Sequence, residues 1–268
     1  MNRKIWVFAV LSIVATLAFR VWVLNPELSL AVSDSFSDVS SLFNNLSGSM
    51  LASASSRIVY VREGMRKEEV GELFARKLDW NDTQKLAFLR GPEGEYYPGT
   101  YSISNSKDEN VMRELMLHRF EREVEERLSS STKSVVSIPT IIKVASIIER
   151  EAGGKRDMRL ISGVIWNRIF TDMNLQIDAT VQYAIGTEEK GWWPTVYPED
   201  LHVESPFNTY KYEGFPPAPI SNPGLASIDA AMNPAKTKCL FYIHDKRRRI
   251  HCAETYEGHK KNINRYLK

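Results

Sequence analysis

The chain has 268 residues, 43% of them hydrophobic and 25% charged, enough for one large domain or two small ones with a sizeable core. Its 35 Lys and Arg against 33 Asp and Glu leave a net charge of +2, and the basic residues are scattered apart from Lys246-Arg247-Arg248-Arg249. A nucleic-acid binder would gather positive charge on one face, so no nucleic-acid partner is expected.

Residues 5–24 read IWVFAVLSIVATLAFRVWVL, with one charge in about twenty positions, the length a helix needs to cross roughly 30 Å of hydrocarbon. Arg20 lies where its side chain can reach the headgroups, and Trp6 and Trp22 sit where an interfacial aromatic belt would put them. A cleaved signal peptide with Arg3 and Lys4 as its charged start is the competing reading; the lack of a small-x-small site directly after the apolar run favours an anchor. Arg3 and Lys4 precede the segment, while Glu27, Asp34 and Asp38 follow it with no further Lys or Arg until Arg57. Residues 1–24 are therefore expected to be a cytoplasmic tip and single-pass anchor in the cytoplasmic membrane, with the rest of the chain on the outer side.

Residues 25–56 hold eleven serines and read as a linker. Composition then shifts. Residues 57–61 alternate as a strand, Gly64 supplies a turn, and Val70, Leu73, Phe74 and Leu78 recur at helical spacing over residues 68–78. A second helix is expected over 83–89, and Tyr96-Tyr97-Pro98-Gly99-Thr100-Tyr101 looks like a turn leading into a strand. One amphipathic helix over 109–127 carries Met112, Leu115, Met116, Phe120 and Val124 on one face. Residues 129–132, Ser-Ser-Ser-Thr, break the pattern and mark a subdomain boundary.

Ser137 is expected to cap the next helix, with Pro139 tolerated in its first turn and Gly153-Gly154 as its stop. At 100° per residue, Ile138, Ile142 and Ala145 fall within about 40° of Glu149, which puts that carboxyl in line with the apolar stripe and toward the core. Burial and the negative end of the helix dipole both raise a carboxyl pKa, which would keep a proton available for donation. Glu151 falls about 160° away, on another face. Spacing alone leaves open whether Glu149 is catalytic or a structural ion-pair partner at a helix end.

The cysteines, Cys239 and Cys252, form no C-x-x-C and share no Cys/His ligand spacing, so no metal and no cofactor is called for. They flank a hairpin-like stretch in which a disulfide could form, but two reduced core cysteines are the expectation.

From this helix onward the chain resembles the bacterial YceG-like family of endolytic murein transglycosylases. The resemblance rests on ASIIERE (145–151), VIWNRI (164–169), MNLQIDATVQYAIG (173–186), FNTYKYEGFPPAPISNPG (207–224), AAMNPAKTKCLFYI (230–243) and HCAETYEGH (251–259), six motifs in order over nearly all of residues 140–260. The upstream region resembles the family's smaller, LysM-like subdomain. Gly99 stands where the family has Asp, and Asp178-Ala179-Thr180 where it has Asp-Pro-Thr. The resemblance implies an α+β ectodomain behind the transmembrane helix, with a LysM-like subdomain at 57–129 and a larger catalytic domain at 134–268. It further implies that Glu149, the first glutamate of the Glu-x-Glu pair, protonates the glycosidic oxygen between MurNAc and GlcNAc and then deprotonates the MurNAc C6 hydroxyl, leaving a 1,6-anhydro end and limiting nascent strand length.

Gln176, Asp178, Thr180, Asn208, Thr209 and Tyr210 keep the family's residue types and are the expected substrate-binding set, with amide, hydroxyl and aromatic groups suited to a sugar ring. Asp178 is either a second acid or, the favoured reading, a helix N-cap, and Asn208 could instead bracket its loop. Trp192 and Trp193 are a sugar platform or core packing, Pro216, Pro217 and Pro219 stiffen a loop walling the cleft, and His251 and His259 are structural. Peptidoglycan strands are the expected partner, with peptidoglycan synthases as further candidates. The rival functions are a glycoside hydrolase using water in the same cleft and an inactive peptidoglycan-binding scaffold.

Overall fold

A computed structural model describes residues 57–103, 107–126, 128 and 136–268 of the chain. The expected membrane segment at 5–24, the linker at 25–56 and the break at 129–132 lie outside the described residues. Among the described residues no helix is long and apolar enough to cross a membrane.

The first part is built around aromatic side chains. In β1 (Arg57–Val61), Val59 and Val61 point inward and Ile58 and Tyr60 outward, the alternation a half-buried strand requires. It pairs antiparallel with β2 (Gly99–Ile103), Val59 opposite Tyr101. Between them run α1 (Lys67–Leu78) and α2 (Asp82–Phe88), the latter opened by Asn81, whose side chain accepts from the Gln84 amide while Gln84 bonds back. In this core Phe74 stacks on Trp80 and Phe88 and meets Tyr101 edge-on, while Phe88 lies tilted against Tyr96.

The helix expected over 109–127 is α3 (Glu109–Phe120) continued by a π-helical turn over Glu121–Glu125. Met112, Met116, Phe120 and Val124 are buried, whereas Leu115, assigned to the same face, is 43% exposed. The stripe advances by four residues each time, and in a straight α-helix each such step rotates it by about 40°. The wider turn offsets that rotation and keeps Val124 facing inward. By Phe120 and Val124 the helix already contributes to a second core.

That second core surrounds α4 (Ile138–Glu151), whose Ile141, Val144, Ala145, Ile147 and Ile148 are all but fully buried. Ser137 holds the N-cap position, but its hydroxyl pairs with that of Thr140 at 2.9 Å rather than with a backbone amide. Around α4 pack α5 (Lys155–Phe170), α6 (Asp178–Ile185) and α7 (Leu225–Met232). A hairpin of β3 (Phe241–His244) and β4 (Ile250–Ala253), followed by α8 (Tyr256–Tyr266), closes the chain. The architecture is mixed α+β, with two separate two-stranded sheets among the described residues.

Cys239 and Cys252 form a disulfide with Cα atoms 5.8 Å apart, which overturns the expectation of reduced thiols. The hairpin explains it: the ladder extends outward to a Leu240 N–H bond to the Ala253 carbonyl, so the residue entering β3 lies beside the end of β4. Trp192 and Trp193 are partly buried and tied to α1 through their indole N–H groups, which donate to Glu72 and Glu69 at 2.8 Å each. The Arg150 guanidinium sits 3.6 Å over the Trp193 ring.

A polar knot ties the two cores together. The Asn222 side chain donates to the Met65 carbonyl and to Glu93 and accepts from the Tyr96 amide. Glu93, 7% exposed, also accepts from the Lys67 amide.

Candidate active site

Helix α4 presents two carboxylates near its carboxyl end, and they serve different places. Glu149 is half-buried against α7, where its Oε2 accepts from the Gly224 amide at 3.0 Å and from the Ser227 hydroxyl. Gly224 is the N-cap of α7, so this carboxylate lies at the positive end of that helix's dipole and serves as its cap. Gly64 closes over it in a left-handed conformation, φ 77°, and a methyl group there would come within 3.3 Å of the Glu149 Cγ. Glu63, next in sequence, has its pKa raised by burial and then by the Glu149 charge, against the opposing charge of Lys155.

Glu151 faces the other way, into a cavity of about 380 Å³ between α4, α5, α6, the hairpin and α8. Its Oε2 accepts from the Tyr242 hydroxyl at 2.7 Å. Burial pushes its pKa up and the Asp178 charge adds to this, while bonds from Tyr242 and from the Ala179 amide oppose. Gln176, Asp178 and Tyr210 line the same cavity, so three of the six expected substrate-binding residues gather around Glu151.

Each of these is held by its local fold. Gln176 takes a left-handed backbone, φ 50°, with its amide bonded to the Thr209 carbonyl at 3.0 Å. Asp178 opens α6 but does not cap it: Ile177 holds the N-cap position, and Asp178 accepts from the Tyr210 hydroxyl at 2.6 Å. The expected N-cap role is therefore corrected, because the Asp178 side chain turns away from the helix start toward the loop that carries Tyr210.

Thr180, Asn208 and Thr209 are at most 2% exposed, which leaves no surface for a sugar. The Asn208 side chain donates to the Leu201 and Val203 carbonyls and accepts from the Tyr210 amide, which fits the loop-bracketing alternative. Thr180 and Thr209 share a hydroxyl bond of 2.9 Å, and the Thr209 oxygen accepts from the buried Ile177 amide at 3.0 Å. These three residues position the cavity wall. Thr209→Val is expected to leave that amide without a partner and to lower stability by roughly 1–3 kcal/mol, measured by denaturant unfolding.

Several cavity residues were not singled out from the sequence. Arg168 of α5 donates to the Leu240 and Leu175 carbonyls at 2.6 and 2.5 Å and so fastens two walls. Tyr242 comes from β3, and His259, expected to be structural, lines the cavity and stacks on Phe241 with ring centres 5.3 Å apart. His251 keeps to its expected role, bonded to Asp245 at 3.0 Å and stacked on Tyr266. Pro217 and Pro219 wall a different cavity, beside Glu93 and Tyr183. Among the described residues no three His, Cys, Asp or Glu side chains come together as a metal site.

The fold and site thus define an α+β protein with a carboxyl-centred cavity lined by amide, hydroxyl and aromatic groups. The model of the YceG-like family matches residues 34–265, and the chain belongs to that family. A protein described as an endolytic murein transglycosylase from Bacillus subtilis (strain 168) is 34% identical over 177 residues, 65% of this chain and 48% of that protein. One of the same description from Streptococcus pneumoniae D39 is 29% identical over 175 residues, 64% of this chain and 31% of that protein. The match thus spans less than half the length of either relative. A crystal structure of a yceG-like protein from Listeria monocytogenes superposes with a TM-score of 0.66 at 28% identity, covering 77% of this chain and 75% of the other.

Proposed function

We propose that the chain is a lytic transglycosylase that cuts peptidoglycan strands between MurNAc and GlcNAc, with Glu151 rather than Glu149 as its acid and base. The observation that carries this is the position of Glu151: its carboxyl, with a raised pKa, faces the cavity that gathers Gln176, Asp178 and Tyr210. Glu149 is occupied as the cap of α7. Family membership and the description shared by the relatives support the reaction class.

In the proposed reaction the protonated Glu151 gives its proton to the bridging oxygen as the bond from MurNAc C1 breaks, and GlcNAc leaves with a free hydroxyl. The resulting carboxylate takes the proton of the MurNAc C6 hydroxyl, whose oxygen closes on C1. One carboxyl alternates between the two roles, so its pKa has to stand above that of an ordinary surface glutamate.

Asp178 shares the cavity and gives the second reading its footing, since hydrolysis uses a carboxyl pair to activate water. Mass analysis of purified glycan strands after digestion separates the two. Strands ending in 1,6-anhydroMurNAc are expected, and reducing ends alone would establish hydrolysis instead.

We further propose that residues 5–24 anchor the protein in the cytoplasmic membrane, with the enzymatic part on its outer side. Within that part we take residues 57–129 as a LysM-like subdomain and 134–268 as the catalytic domain. The order β1-α1-α2-β2 and the separate aromatic core support the first assignment. A role in limiting nascent strand length, beside peptidoglycan synthases, follows from the same reading.

A further inference from the structure

Resting on Glu151 as the reacting carboxyl, we propose that the Tyr242 hydroxyl and the Ala179 backbone N–H form a two-donor clamp that orients this carboxyl and sets the upper pH limit of activity. Tyr242 reaches it from β3, its hydroxyl donating to Oε2 at 2.7 Å. Ala179 reaches it from the first turn of α6, where backbone N–H groups have no partner within the helix. Thr180, next along, sends its own N–H back to Ile177, whereas the Ala179 N–H bonds the Glu151 carboxylate.

Both donors favour the charged form of the carboxyl, against the burial that favours the neutral one. The other charged and titratable groups around Glu151 are Arg150 beside it on α4, Asp178 of α6, Arg168 of α5, Tyr210 of its loop, His244 of β3, and Tyr256 and His259 of α8. The clamp offers a graded control distinct from these charges. With its donors in place the carboxyl loses its proton at a lower pH than burial alone would dictate, and activity on the alkaline side ends earlier. Tyr242 and Ala179 act through Glu151 and are positioning residues.

The test is the pH dependence of kcat/KM on purified glycan strands. Tyr242→Phe keeps the ring and removes one donor. Ala179→Pro removes the other at a first-turn position, where proline is tolerated and where this chain departs from the family pattern. Each variant is expected to move the alkaline limb upward by roughly one pH unit, and the pair together by more. Tyr242→Phe should also lower kcat by roughly ten- to a hundred-fold, with KM unchanged. Because proline at a buried position could prevent folding, Tyr242→Phe alone is decisive if the second variant is not obtained folded. An unmoved limb in folded Tyr242→Phe overturns the clamp, even if the melting temperature drops. Glu151→Gln, run in parallel, separates the two ideas: if it retains full activity, the assignment of Glu151 fails and the clamp with it.

Discussion

Glu151→Gln is expected to fold normally and to lose at least the roughly hundred- to ten-thousand-fold that general acid and base catalysis contributes. Glutamine keeps the shape and can still accept from Tyr242, but it has no proton to give to the glycosidic oxygen and no charge with which to take one from the C6 hydroxyl. Glu149→Gln should behave differently. Its amide oxygen can still accept from Gly224 and Ser227, so the main loss is a negative charge at the start of α7, about 0.5–1 kcal/mol of stability with turnover largely kept. Release of 1,6-anhydro-terminated strands by the two purified variants, alongside their unfolding curves, decides the matter. A dead Glu149→Gln beside an active Glu151→Gln would return the role to the first glutamate, and the cavity argument would fall.

The second large effect concerns Glu93 in the polar knot between the cores. Burial raises its pKa to about 8, from 4.5 in the unfolded chain, with the Glu68 charge adding and the Lys67 amide opposing. Between those two values the unfolded chain releases this proton while the folded chain keeps it. The group therefore subtracts from stability as pH rises through that window, and does not affect it below the lower value. At about 1.4 kcal/mol for each pH unit, the decline is on the order of 4–5 kcal/mol by pH 8. Glu93→Gln stays neutral throughout, and its amide oxygen can still accept from the Lys67 N–H and the Asn222 side chain, both of which donate to Oε1. Denaturant midpoints taken from pH 5 to pH 8 should show the wild type losing ground steadily to the variant. Parallel curves would mean that Glu93 titrates alike in both states.

The burial responsible for that shift is itself a product of assembly. Glu93 sits in a loop between α2 and β2, and its partners Lys67, Tyr183 and Asn222 come from α1, α6 and the segment before α7. No local pattern marks such a residue as buried. Glu63 is a similar case: it becomes the neighbour of Glu149 only because the turn at Gly64 closes against α4.

Packing follows chain periodicity in several elements, Leu115 of α3 excepted. The alternation in β1, the apolar spacing of α1, the amphipathic stripe of α3 and the Gly-Gly stop after α4 are properties of consecutive residues, whose side chains face inward at fixed intervals along a helix or strand. Motif order was enough to expect the YceG-like family and to bring Gln176, Asp178 and Tyr210 under suspicion. Helical phase also separated Glu149 from Glu151 correctly, since they do leave α4 on different faces.

Phase alone leaves open what each face meets. The apolar stripe suggested that the carboxyl aligned with it would be the buried, reactive one, but that face meets the N-terminus of α7, and a helix start satisfies a carboxylate with backbone amides. Glu151 acquires its cavity from Tyr242, about ninety residues downstream, from α6 and from Arg168. The disulfide and the burial of Thr180, Asn208 and Thr209 were decided in the same way, by contacts between segments. Sequence by itself determined the elements, the family and the inventory of reactive side chains, because these depend on residue type and near-neighbour spacing. Which carboxyl faced the cavity, whether the two cysteines met and which polar groups lined the cavity depended on surfaces supplied by distant segments, and only the tertiary structure decides those.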